Sequence, residues 1–235
     1  MMQSSGRALR VENVCKVFQE FTLKAHFEVN PGERVILWGR SGVGKTSLLQ
    51  LIAGLIPMDR DREGQIFLGE ENITTQSPQK RNMGFVFQDQ ALFADLSVAE
   101  NAAFGLKVRG VPPSERRQII EDWLKRVGLS GFASKKASQL SIGERQRVAF
   151  IRAVCWQPRV ILLDEPFAAL DGETRRILRE ELLALHELWP APVLMVTHDE
   201  EEAQILGHGR LIFHSDPQDH ARSVTRELTK GAGFD

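Results

Sequence analysis

Apolar residues follow two different periods along the chain, and the change of period predicts where strands lie. Residues 9–17 and 21–29 alternate apolar and polar side chains, which is typical of two antiparallel strands with one solvated face. Continuous apolar runs predict strands buried on both faces at 34–38, 160–163 and 193–196. Shorter runs predict further strands at 64–68 and 83–87 and an edge strand at 209–214.

Helical spacing takes over between these strands. It predicts helices over 47–53, 98–104 and 172–188, one that begins near 112–114 and ends at Gly128, and a short helix at 221–230. The helices from about 96 to 156 interrupt an alternation of strands and helices. We therefore expect a helical subdomain at 96–156, inserted into one domain whose core comprises 1–95 and 157–235.

Composition narrows the class of protein. The chain has 235 residues, 42% of them apolar, which is enough for a buried core. Its net charge of -1 offers no basic field of the kind that binds nucleic acid, so no nucleic-acid partner is expected. Neither a signal-peptide pattern nor an apolar run of the roughly 18 residues that span a bilayer is visible.

One glycine-rich segment organises the chain. The apolar run that ends at Trp38 continues into Gly39-Arg40-Ser41-Gly42-Val43-Gly44-Lys45-Thr46. The pattern GxxxxGK[ST] between a strand and a helix predicts a phosphate-binding loop, in which Lys45 reaches the phosphates and Thr46 holds Mg²⁺. The predicted fold is α/β: a phosphate-loop NTPase core with a mixed sheet, an antiparallel β subdomain and the inserted helical subdomain.

Polar side chains follow three of the predicted strands, at the end where open α/β sheets bind ligands. Asp164 and Glu165 follow 160–163, where Asp164 is expected to hold Mg²⁺ and Glu165 to orient or deprotonate a water. His198 follows 193–196 and could contact a γ-phosphate. Gln88 follows 83–87, either to reach Mg²⁺ or the water, or simply as a solvated strand end.

Two further positions admit both a structural and a functional interpretation. Phe18 lies between the alternating strands, where it either stacks on a base or packs as an ordinary strand-end aromatic. Ser141 and Glu144 form a capping-box pattern at the start of a helix. That helix is either only well capped or offers its N-terminus to a phosphate.

Taken in order, these segments resemble the ATPase subunit of an ATP-binding-cassette (ABC) transporter. GRSGVGKT resembles the Walker A loop, FVFQ the Q-loop, LSIGERQR the family signature, VILLDE the Walker B strand with its catalytic glutamate, AALD the D-loop and VTHD the switch-histidine motif. The motifs extend in the family's order from Phe18 to His198, and the signature separates this family from other phosphate-loop NTPases.

The resemblance implies a set of site residues. Glu165, His198 and Gln88 are implied as catalytic residues, and Thr46, Gln88 and Asp164 as metal ligands. The residues implied in ATP binding are Phe18, Gly39, Arg40, Ser41, Gly42, Val43, Gly44, Lys45, Thr46, Ser47, Ser141, Gly143, Glu144 and Asp171. The resemblance also implies a homodimer, or a pair of ATPase subunits, that closes head to tail around two ATP molecules and their Mg²⁺. Ser141 and Gly143 of one copy would then touch the γ-phosphate held by the other.

The signature departs from the family at one position, because Ile142 stands where glycine is usual. Ser141 and Gly143 remain, so the site is expected to work, although a β-branched side chain can slow closure.

DEPFAALD and ALFADLSVAENAAFGL resemble importers of polyamines, iron, thiamine, sulfate or sugars. This likeness implies integral-membrane permease subunits, a periplasmic or lipid-anchored solute-binding protein, and a peripheral position on the cytoplasmic face of the inner or plasma membrane. Many such importers carry a C-terminal regulatory domain, which is not expected in a sequence that stops at Asp235. The alternatives are an exporter ATPase and a soluble ABC ATPase without a membrane partner.

Overall fold

The computed structural model describes residues 7–59, 64–215 and 221–228. Its strands are β1 (Leu9–Val17), β2 (Thr22–Val29), β3 (Arg34–Trp38), β4 (Gln65–Leu68), β5 (Glu71–Asn72), β6 (Met83–Val86), β7 (Val160–Asp164), β8 (Val193–Val196), β9 (Gly209–Ser215) and β10 (Ala221–Leu228). Its α-helices are α1 (Lys45–Ala53), α2 (Val98–Ala102), α3 (Phe104–Val108), α4 (Pro113–Arg126), α5 (Ile142–Val154), α6 (Gly172–Leu188) and α7 (Glu200–Leu206). The strands form one sheet in the order β5-β4-β1-β2-β10-β9-β3-β8-β7-β6.

The parallel part of this sheet explains the continuous apolar runs. Strands β3, β8, β7 and β6 pair in parallel, and β9 pairs in parallel with β3 on its other side. Successive side chains of a strand point to opposite faces, and here both faces are covered. In β7, Val160 and Leu162 pack into the core on the α1 side, whereas Ile161 and Leu163 pack into the core under α5 and α6.

An antiparallel part continues the same sheet. Strand β1 pairs antiparallel with β2 and β4, and β4 pairs antiparallel with β5. Strand β10 connects the two parts, because it is antiparallel to β9 and parallel to β2. The sheet is therefore mixed, as the sequence predicts.

Two predictions about the C-terminal strands are wrong. Segment 221–230 was expected to be a short helix, but its described part is β10, whose backbone pairs with both β9 and β2. The spacing of the buried residues Ala221 and Val224 imitates a helix, and the strand pairing overrides it. Because β10 covers β9, the segment 209–214 is an interior strand rather than an edge strand.

Helix α5 packs both against the sheet and against the helices that precede it in the chain. It lies so close to β6 that a Cβ added at Gly84 would come within 2.3 Å of the Ala153 carbonyl oxygen. On the side of the helical segment, Phe150 meets Trp123 of α4 edge to face at 6.3 Å between ring centroids. No α-helix in the described part of the chain is long and apolar enough to cross a membrane.

Candidate functional site

The loop between β3 and α1 has the backbone that a phosphate-binding loop needs. Gly42 and Gly44 adopt φ values of 73° and 103°, which favour glycine. At Gly44 a side chain would also approach Phe21, because an added Cβ would lie 3.1 Å from its ring. Gly44 caps α1 without a side-chain hydrogen bond, and the first turn of the helix has no acidic residue. The partial positive charge at the N-terminus of α1 is therefore available to stabilise a bound anion.

Lys45 lies folded within this loop. Its Nζ donates hydrogen bonds to the carbonyl oxygens of Gly39 and Arg40, at 2.8 and 3.0 Å, and the residue is 9% exposed. Burial lowers the pKa of Lys45, although the charges of Glu165 and Asp164 act in the opposite direction. The buried ammonium group has lost part of its hydration. A negatively charged phosphate beside it would balance its positive charge.

Two of the three predicted metal ligands, Thr46 and Asp164, lie side by side. The Thr46 hydroxyl donates to Asp164 Oδ1 at 3.1 Å. Asp164, the last residue of β7, is 3% exposed, and burial raises the pKa of its carboxyl group against the effects of Thr46 and Lys45. Both side chains present oxygen atoms, which are the ligands that Mg²⁺ prefers.

Glu165 and His198 form a carboxylate–imidazole pair at the ends of β7 and β8. Glu165 Oε1 lies 2.9 Å from His198 Nδ1, and the hydrogen bond to Glu165 raises the pKa of His198. Glu165 adopts a φ of 48°, unusual for a residue with a side chain, and its N–H donates to the Val196 carbonyl oxygen at 3.1 Å. A strained backbone held by a neighbouring strand is typical of functional sites.

An open pocket of about 310 Å³ brings most of these residues together. Its lining consists of Phe21, Ser41, Gly42, Gly44, Lys45, Thr46, Ser47, Gln88, Asp164, Glu165 and Val196. Gln88 thus faces the same space as the phosphate loop and the carboxylates. Among the other predicted residues, Gly39 and Arg40 contribute the carbonyl groups that hold Lys45, and Val43 is buried.

The aromatic residue that lines the pocket is Phe21, which the sequence analysis assigned only to a strand. Phe18 is half-buried and stacks on the Phe21 ring at 4.8 Å between centroids. The guanidinium of Arg222 lies 3.6 Å from the Phe21 centroid. A signal for Phe21 was present, because it continues the alternation of the buried residues Leu23 and Ala25 back toward the loop.

The remaining predicted residues lie outside the pocket. Ser141 caps α5 in a complete capping box, in which Glu144 N–H donates to Ser141 Oγ at 3.2 Å. Ser141 and Ile142 are exposed, and Ile142 is 53% exposed. Asp171 caps α6 by accepting a hydrogen bond from Thr174 N–H at 2.9 Å. The capping box therefore forms. For Ser141 also to bind a phosphate, another molecule would have to bring that phosphate to the exposed start of α5.

Comparison with known proteins agrees with this geometry. Residues 23–168 match the ABC transporter domain family. Three relatives carry the name sulfate/thiosulfate import ATP-binding protein CysA. The protein from Nephroselmis olivacea is 44% identical over 88% of this chain and 60% of its own length. The proteins from Gloeobacter violaceus and Synechocystis are 47% and 46% identical over 83% and 82% of this chain and over 57% and 54% of their own lengths. This chain thus spans little more than half the length of these relatives.

A solved structure described as a dimeric bacterial ABC transporter cassette superposes with a TM-score of 0.80. It is 28% identical, and the match covers 95% of this chain and 99% of that one. Together with the sheet order and the phosphate loop, these likenesses identify the fold as the ABC nucleotide-binding domain. The chain belongs to the ABC transporter family.

Proposed function

We propose that this chain is the ATP-binding and ATP-hydrolysing energy subunit of an ABC importer. One observation carries the proposal: a single pocket combines a phosphate loop, a pair of metal-type oxygen ligands and a carboxylate positioned by an imidazole. Each group is at the carboxyl end of a parallel strand, where ligands bind in open α/β sheets.

The residues present fit a magnesium ion. Thr46 and Asp164 would hold it, with Gln88 facing the same space from the end of β6. Bound there, Mg²⁺ would neutralise charge that develops on the phosphate oxygens.

Hydrolysis then depends on Glu165. Its carboxylate takes a proton from the attacking water, whose oxygen bonds to the γ-phosphorus while the bond to the bridging oxygen of ADP breaks. His198 Nδ1 holds Glu165, so Nε2 is free to contact the γ-phosphate. Lys45 holds the β- and γ-phosphates in line.

The same proposal includes the partners. Exposed Ser141 and half-buried Gly143 would complete the ATP site of a second ATPase subunit, either another copy of this chain or a paired one. An apolar groove of about 400 Å³ adjoins Gln88 and is lined by residues that include Phe87, Phe93 and Val108. A helix of the permease would dock in this groove, and movements at the ATP site would then be transmitted to the permease.

These partners would place the chain on the cytoplasmic face of the membrane, with a solute-binding protein on the other side of the permease. The relatives named for sulfate and thiosulfate import favour a small oxyanion as the solute. The choice of solute lies with the permease and the binding protein.

The test is phosphate release from ATP by the purified chain with Mg²⁺ or with EDTA. Lys45→Ala should abolish activity and weaken binding of a fluorescent ATP analogue by about 1.5–3 kcal/mol, the value of one strong charge-assisted contact. Lys125→Ala, which removes an exposed lysine of α4, is the control. If Lys45→Ala binds and hydrolyses ATP like the control, the assignment of the loop is wrong.

A further inference from the structure

One arginine links the loop after β7 to the loop after β8. Arg175, in the first turns of α6, donates from Nη2 to the Leu170 carbonyl oxygen at 3.3 Å and from Nη1 to Asp199 Oδ2 at 3.1 Å. Its Nε lies 3.6 Å from Glu202 Oε1. Leu170 follows Glu165 by five residues and Asp199 follows His198 directly, so Arg175 connects the two segments that carry the carboxylate–imidazole pair.

On the His198 side, the contacts form a closed network. Thr197 Oγ1 donates to Glu202 Oε2 at 2.7 Å and accepts from Asp199 N–H at 3.1 Å, and Glu202 N–H donates to Asp199 Oδ1 at 3.1 Å. Thr197 and Glu202 are 2% and 3% exposed. A buried carboxylate needs a nearby cation, and Arg175 supplies one. The backbone on both sides of His198 is thereby fixed.

On the Glu165 side, the loop is held from two directions. Gln146 of α5 donates to the Pro166 carbonyl oxygen at 2.7 Å, and Leu170 lies against Gly143 of the same helix. Arg175 of α6 holds the Leu170 carbonyl of the same loop. A planar guanidinium can reach three partners at fixed angles, which an ammonium group on a flexible stem cannot do.

We propose that Arg175 is a positioning residue for ATP hydrolysis, which sets the separation of Glu165 and His198 by holding the Leu170 carbonyl together with Asp199 and Glu202. It does not touch the reacting atoms. This inference rests on the proposed ATPase function. A shift of about 1 Å in a catalytic group is enough to slow a reaction by roughly a hundredfold.

The chain provides a matched control in Arg179. It lies one turn further along α6, and its Nη1 pairs with Glu201 of α7 at 3.2 Å. Its charge also acts on Glu202, so its removal tests for a purely electrostatic effect. Its hydrogen bond and ion pair within the described part of the chain go to Glu201 of α7 rather than to either of the two loops. Arg175→Ala and Arg179→Ala therefore each remove one cation between α6 and α7, but only the first releases the loops.

The measurement is the kcat and KM for ATP, together with the thermal midpoint of each variant. Arg175→Ala should lower kcat by about tenfold to a hundredfold with KM within about twofold of the parent, whereas Arg179→Ala should leave both within about twofold. Arg175→Lys should restore part of the loss. In the variant Arg175→Ala/Glu202→Gln the effects should be less than additive, since both residues act through one network.

Equal kcat for the two alanine variants overturns the proposal, as does a raised KM with unchanged kcat, which would assign Arg175 to ATP binding. If Arg175→Ala does not fold, Arg175→Lys compared with Arg179→Lys decides by the same criteria. A parent protein without ATPase activity, or activity that survives Lys45→Ala, would count against the proposed function instead.

Discussion

Two charged side chains of the pocket, Lys45 and Asp164, are buried by the protein itself. Lys45 is 9% exposed and Asp164 is 3% exposed, and burial shifts both pKa values toward the neutral forms. Their partners are two carbonyl groups and a hydroxyl rather than opposite charges in direct contact. A phosphate for Lys45 and a divalent cation for Asp164 would each favour the charged form. These surroundings support the proposal that the pocket binds a nucleotide and a metal ion together.

The base of the nucleotide is expected to depend on Phe21 more than on Phe18. Phe21 lines the pocket and lies close to Gly44, while Phe18 stacks on the Phe21 ring and is not part of the lining. Stacking of a base on an aromatic ring contributes about 1–3 kcal/mol. Phe21→Ala should therefore weaken a fluorescent ATP analogue by about this amount, and Phe18→Ala by less. A full loss in Phe18→Ala with normal affinity in Phe21→Ala would return the base to Phe18.

At the scale of elements, a strand or a helix was predictable from the sequence where one local pattern of residues decides its structure. Strands β7 and β8 are buried on both faces, so their sequences are apolar until the polar residues that face the pocket. The capping box of α5 is equally local and formed as predicted, and α2 also begins with a capping box. Strand β10 was missed because the spacing of Ala221 and Val224 imitates a helix, and because its parallel partner β2 is distant in sequence. The contact of Arg175 with Asp199 was missed for the same reason.

The contact between α6 and β3 predicts how the stability of the folded chain depends on pH. His186 of α6 is 4% exposed, accepts from Arg34 Nη1 at 2.8 Å through Nδ1, and lies 2.9 Å through Nε2 from the Ala191 carbonyl oxygen. Burial, and then the charge of Arg34, lowers the pKa of His186 from 6.5 to about 4. His208, whose pKa is also lowered, lies on the other side of Arg34, and Glu33 and Glu187 carry the nearby negative charges.

Between pH 6.5 and about 4 the unfolded chain binds a proton at His186 that the folded chain excludes. The stability that the neutral histidine provides is therefore complete above this window and is lost as the pH falls through it. His186→Gln should flatten the dependence of the urea midpoint on pH relative to the parent. The exposed His26→Gln is the control. An unchanged slope in His186→Gln would show that this histidine titrates normally.

At the scale of the whole molecule, the residues implied in ATP binding do not all meet within one copy. The pocket gathers the phosphate loop, the proposed metal ligands and Glu165, but its lining does not include Ser141, which lies exposed at the N-terminus of α5. Ile142 beside it is also exposed, so the unusual residue faces solvent rather than the core. A helix N-terminus can bind a phosphate that a second molecule presents. This division of the site supports the proposal that two copies close around ATP.

Glu165→Gln tests that mechanism. The substitution keeps the shape of the side chain and removes the basic carboxylate, so turnover should fall by about 10²–10⁴-fold. ATP binding should survive, because Lys45 and Thr46 are unchanged. If ATP closes the dimer and hydrolysis opens it, the variant should accumulate as a dimer. Size-exclusion chromatography should show the parent mostly as monomer with ATP and Mg²⁺, and Glu165→Gln as dimer with ATP but not with ADP.

Adding Ser141→Arg to Glu165→Gln should return the protein to monomer, since a long cationic side chain would block the contact with the ATP of the other copy. Ser114→Arg, the same change of residue at an exposed position of α4, is the matched control and should leave the dimer intact. A Glu165→Gln protein that hydrolyses ATP at the parent rate would remove Glu165 from catalysis. An inactive protein that stays monomeric with ATP would leave the chemistry intact and contradict closure by ATP alone, because the membrane partner would then have to hold the two copies together.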